Sequence, residues 1–67
     1  MSDDLRERRR IIYQRRLRQL GEQYELPHLD RARMYRLTSK LADMTGEGVD
    51  DMQLRVLHNL ATRGFFD

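Results

Sequence analysis

Apolar residues recur along this chain at helical spacing, and no segment alternates with the period of two that marks a strand. The clearest run is Met34, Leu37, Leu41 and Met44, whose steps of three, four and three residues trace one face of a helix. The punctuation around it agrees. Asp30 is placed as an N-cap, Leu29 and Met34 are the two ends of a hydrophobic staple, and Gly46 stands where a left-handed residue ends a helix. The same signals return downstream. Asp50 caps, Gln53 completes a capping box, Val49 staples to Leu54, and Gly64 stops the helix with Phe65 placed to fold back on Leu60. Upstream, Ser2 is the expected N-cap, and Asp3 and Asp4 lie in a first turn where the helix dipole favours negative charge. That segment stops at Gly21 or frays towards Tyr24, and Pro27 closes it by pushing Leu26 out of the helical region. The pattern predicts an all-α fold. It is a small three-helix bundle with helices over about 3–20, 30–45 and 50–63, in a single domain 1–67.

The faces of these helices differ. On the third, the apolar arc spans about 200° and holds Val49, Met52, Leu54, Val56, Leu57, Leu60 and Ala61. This breadth predicts a central helix whose buried side is Val49, Met52, Val56, Leu57 and Leu60. The opposite polar strip carries Asp51, Arg55, His58, Asn59 and Thr62, with Asp51 and Arg55 spaced for an i,i+4 pair. The second helix has a narrower stripe, and beside it Arg33, Arg36 and Lys40 form a row, either solvated near Asp43 or extending a basic patch. The first places Leu5, Ile12, Tyr13, Leu17, Leu20 and Tyr24 on its inner side, with Arg9 and Arg16 alongside as packing arginines. Arg8, Arg15 and Arg18 fall on the opposite face around Ile11.

Charge sharpens this reading. Seven arginines, Arg6, Arg8, Arg9, Arg10, Arg15, Arg16 and Arg18, crowd the first helix of a 67-residue chain whose net charge is only +2. Residues 1–20 carry +4 and residues 21–67 carry −2, so this is a near-neutral body with one basic element. Arginine binds phosphate or carboxylate through two parallel hydrogen bonds, so the cluster points to an anionic partner. The expected contact residues are Arg8, Arg10, Ile11, Arg15 and Arg18, with Arg33, Arg36 and Lys40 assisting.

Two readings of that surface stand side by side. In one, the chain is a regulatory protein that binds DNA or structured RNA through its arginine-rich helix. In the other, it is an interaction module (an inhibitor, adaptor or accessory subunit) that sets the same Arg/Ile face on an acidic protein surface. A homodimer is compatible with both, because a chain this short often completes its core with a second copy. The segment from Leu54 to Phe66 resembles the end of a recognition helix in winged-helix repressors, which would imply DNA contact through the third helix. It departs from that pattern where the helix opens on Asp50 and Asp51, which repel phosphate. Arginine helix 1 is the better nucleic-acid element.

Other chemistry is missing from the pattern. There is no Ser-His-Asp or Cys-His set and no phosphate-cradling glycine loop, so a non-enzymatic protein is expected. His28 and His58 lack the spacing of a metal site, and no cofactor or metal is expected. No cysteine is present, and no run of apolar residues exceeds three, so neither a disulfide framework nor a membrane span is predicted. These features fit a cytoplasmic protein.

Overall fold

The computed structural model describes residues 2–44 and 48–67, with Ser2 as backbone only. It contains three helices, α1 (Ser2–Gln23), α2 (Arg31–Met44) and α3 (Asp51–Thr62), arranged as a small all-α bundle. The 22-residue α1 is about 33 Å long at 1.5 Å per residue, and it sets the 36 Å long axis of the molecule. The expected roles of the Ser2 side chain as a cap and of Gly46 as a stop fall outside the described residues.

Both interior helix starts form as their sequences dictate. The Asp30 carboxylate accepts from the Arg33 backbone N–H at 2.8 Å, and Leu29 and Met34 pack into or against the core. At α3 the capping box closes in both directions: Asp50 accepts from the Gln53 N–H at 2.8 Å, and the Gln53 side chain accepts from the Asp50 N–H at 3.1 Å. The end of α3 is a Schellman motif. Gly64 has φ +81°, its N–H donates to Ala61 O, and the Phe65 N–H donates to Leu60 O. The aromatic that returns to the core is Phe66, however, while the Phe65 ring stays exposed.

The end of α1 follows the longer of its two expected extents, past Gly21 towards Tyr24. Gly21 is helical and Glu25 takes the left-handed position, at φ 51°. The Leu26 N–H donates to Gly21 O at 3.0 Å, which is the bond that closes this type of helix end. The cause lies downstream: Pro27 keeps Leu26 extended, and Leu26 packs against the core, so the chain must reverse just before it.

Tyr13, Leu17 and Leu20 of α1, Leu37 and Leu41 of α2, Leu54 and Ala61 of α3, and Leu29 and Val49 of the connections make the core. The closest helix pairing is α1 with α2, so α3 is not the central helix. Its buried side is also turned from the expected one. Leu54, His58 and Ala61 face inward, whereas Met52 and Val56 are 74% and 54% exposed. Polar contacts at the helix edge go with this orientation. Asp51 pairs with Arg16 at 3.0 Å, and the Arg55 guanidinium lies 4.1 Å over the Tyr24 ring. These bonds turn positions 51 and 55 towards α1, and the expected Asp51–Arg55 pair is not formed. At the first and second helices, Leu5, Ile12, Tyr24 and Met44 are likewise exposed. Small polar residues take the vacated inner places on α2, where Thr38 bonds back to Met34 O at 2.8 Å and Ser39 is buried with no partner for its hydroxyl.

Candidate functional site

The arginines of α1 divide by what they touch. Arg6 pairs with Asp43 of α2, Arg9 donates to Ala42 O at 3.2 Å, and Arg16 reaches Asp51 of α3. These three tie the helices together through polar contacts of their guanidinium groups. Arg6 also holds the Asp43 carboxyl below its usual range, chiefly through the hydrogen bond between them.

Arg10, an expected contact residue, is committed as well. It binds Glu7 at 2.6 Å, and its guanidinium lies 4.8 Å over the Tyr35 ring of α2. The hydrogen bond to Arg10 lowers the Glu7 pKa despite some desolvation. On α2, Arg33 and Arg36 both reach the Asp67 carboxylate, at 3.2 and 3.0 Å, and Arg33 also donates to Thr62 O. Lys40 lies 5.8 Å over the Phe66 ring. The row Arg33, Arg36 and Lys40 therefore clasps the C-terminal residues instead of extending the basic surface of α1.

Arg8, Arg15 and Arg18 remain. All three are exposed, and none makes an ion pair among the described residues. At 100° per residue they share one outer face of α1 with Ile11, which is 36% exposed. Asp4 and Glu22, also exposed, stand at the two ends of the same face. The outer stripe thus reads Asp4, Arg8, Ile11, Arg15, Arg18, Glu22. It is cationic at the centre, acidic at both ends, and apolar at one point within.

Arg18 also borders a groove of about 830 Å³ between α1, the 24–30 connection and the start of α2. Leu17, Leu26, Leu29 and Met34 contribute its apolar lining, and Arg10, Arg18, Arg31 and Tyr35 its polar edge. Arg31 was not singled out by the sequence, since only the fold carries the first residue of α2 to the neighbourhood of Arg18. His58, expected on a solvent strip, lies at this groove and is 2% exposed, with Nδ1 lacking a partner. Burial pushes its pKa down, partly offset by a hydrogen bond to the Pro27 backbone.

Among the described residues no group of three acidic, histidine or cysteine side chains is arranged to hold a metal, and no helix is long and apolar enough to cross a membrane. No protein-family model, curated protein or solved structure matches the chain.

Proposed function

We propose that this chain is a protein-interaction module that sets the outer face of α1 on an acidic surface of another protein. The observation that carries this reading is the composition of the face: Arg8, Arg15 and Arg18, without an ion pair among the described residues, surround an exposed Ile11. An apolar contact inside a ring of bidentate donors suits a protein surface with an apolar centre and a carboxylate rim. The carboxylates of Asp4 and Glu22 add to the argument. They would oppose a long uniform polyanion passing along the whole helix, whereas a protein surface can place a donor opposite each.

Affinity capture from nuclease-treated lysate tests the reading. The wild-type chain is expected to retain a specific protein, and Ile11→Asp or Arg15→Glu to release it, because both positions are solvent-facing and their loss leaves the core intact. Retention of that protein by Ile11→Asp would overturn the proposal.

A second reading is favoured by the groove. Arg18 and Arg31 stand at its edge beside Tyr35, an arrangement that suits a phosphate backbone with a base stacked nearby. Anisotropy titrations against duplex DNA and single-stranded RNA at two salt concentrations separate the two. Nucleic-acid binding would fall steeply with salt, fall further with Arg31→Gln, and ignore Ile11→Ala.

A further inference from the structure

The clasp between α2 and Asp67 leaves much of its bonding capacity unused. The carboxylate takes a single N–H from each arginine: Arg33 Nε donates to one oxygen at 3.2 Å, and Arg36 Nη1 to the other at 3.0 Å. An arginine that grips an oxyanion fully gives two parallel N–H groups. The Arg36 guanidinium makes no other hydrogen bond among the described residues. That of Arg33 makes only one more, from Nη1 to Thr62 O at 3.0 Å, and this bond fixes it independently of Asp67.

Charge is unbalanced in the same sense. Arg33, Arg36 and Lys40 form a row along α2, and they face Asp67 and, 3.8 Å from Arg33 Nε, Asp30. The row thus carries one more positive charge than its two carboxylates supply.

We infer that Arg33 and Arg36 form a binding site for a phosphate dianion, which Asp67 occupies as an internal substitute. A phosphate group presents three oxygens where a carboxylate presents two, so it can take the N–H groups that Asp67 leaves idle. Its second charge supplies what the row lacks. A carboxylate from outside would only repeat the grip of Asp67 and gain nothing by replacing it. Access is open, because the side chains of Arg33, Arg36 and Asp67 are 36, 52 and 39% exposed. Displacing Asp67 needs a rotation of its side chain alone, with Phe66 remaining against the core. Gly64 keeps the space clear: a Cβ there would lie 3.2 Å from the Asp67 oxygen and 3.7 Å from Arg33 Nη2, where a phosphate oxygen would sit. This site is separate from the outer face of α1 and does not depend on the function proposed for that face.

Backbone-amide NMR of the whole chain tests the inference. Inorganic phosphate, phenyl phosphate and acetate are titrated at constant ionic strength and about pH 8, where phosphate is mainly dianionic. Both phosphates should give saturable shifts at Arg36 and Gly64 and leave Arg8 and Arg15 in place, while acetate should not saturate. Asp67→Asn should tighten the binding about fivefold, the weight of one exposed ion pair removed from competition. Adding Arg36→Gln to that variant should abolish saturation. Both side chains lie outside the core, and unchanged helicity establishes that the fold is kept. Equal affinity for the two phosphates identifies the phosphate group itself as the ligand, and a tighter grip on phenyl phosphate identifies a monoester. Absence of saturation in Asp67→Asn, equal affinity in that variant and the wild-type chain, binding that survives Arg36→Gln, or matching shifts at Arg8 and Arg15 would each overturn the inference.

Discussion

Gly21 and Glu25 show how single residues can sit against their own preferences. Glycine spends a helical position on a residue with no side chain, and a Cβ added there would meet nothing within 4 Å. Glu25 occupies a left-handed backbone position at φ 51° that glycine adopts without strain. Exchanging the two preferences should therefore stabilise the fold. Gly21→Ala is expected to add about 1 kcal/mol from helix propensity. Glu25→Gly is expected to add about 0.5–1 kcal/mol by relieving the left-handed strain, net of the entropy glycine costs. Urea unfolding of each variant measures both gains, and a fall in midpoint for either would refute the account of this turn. At Gly64 the logic reverses, because φ +81° and the Asp67 carboxylate 3.2 Å from an added Cβ leave glycine as the fitting residue. The sequence left Gly21 and the neighbourhood of Tyr24 as alternative ends and named Pro27 as the closing residue, but glycine being the usual left-handed residue did not point to Glu25. The deciding constraint was Pro27, two residues beyond the turn, acting through the extended Leu26.

At the scale of the helix, starts were more legible than faces. Asp30, Asp50 and Gln53 declare their roles locally, since a cap involves residues only three apart. The rotation of α3 was not legible, because the partners of Asp51 and Arg55, which are Arg16 and Tyr24, lie far away in sequence. The same rotation buries His58 and gives α3 a dependence on pH. Burial, with the nearby His28 acting in the same direction, holds the His58 pKa below its ordinary value of 6.5. The unfolded chain therefore takes up the proton first. Stability from this group is whole above pH 6.5 and declines as the pH falls through 6.5 towards the folded pKa. Chemical denaturation at mildly alkaline and mildly acidic pH should show a lower midpoint in acid for the wild-type chain. His58→Leu, which removes the titrating ring, should flatten that difference; an unchanged difference would place the titration elsewhere.

The molecule as a whole uses its arginines mostly on itself. Arg6, Arg9 and Arg16 join helices, and Arg33 and Arg36 hold Asp67 against α2. The arginine cluster was legible as a feature, but its division into internal and external members required knowing which carboxylates the fold brings near. The clasp on Asp67 is partly solvated, with all three side chains at least a third exposed. Asp67→Ala should accordingly cost no more than about 1 kcal/mol, less at high salt, by thermal unfolding at two ionic strengths. A larger or salt-independent loss would mean that packing around Phe66, not charge, fastens the end of the chain.

The carboxylates that terminate the α1 stripe also govern motion along it. A binding partner shifted by one helical turn, about 5.4 Å, would lose an arginine at one end and bring one of its acids onto Asp4 or Glu22 at the other. Each such step is penalised in both directions. On the function proposed for it, the face would work as a ruler with stops at both ends, holding a bound acidic partner in one register where an unbroken row of arginines would let it slide.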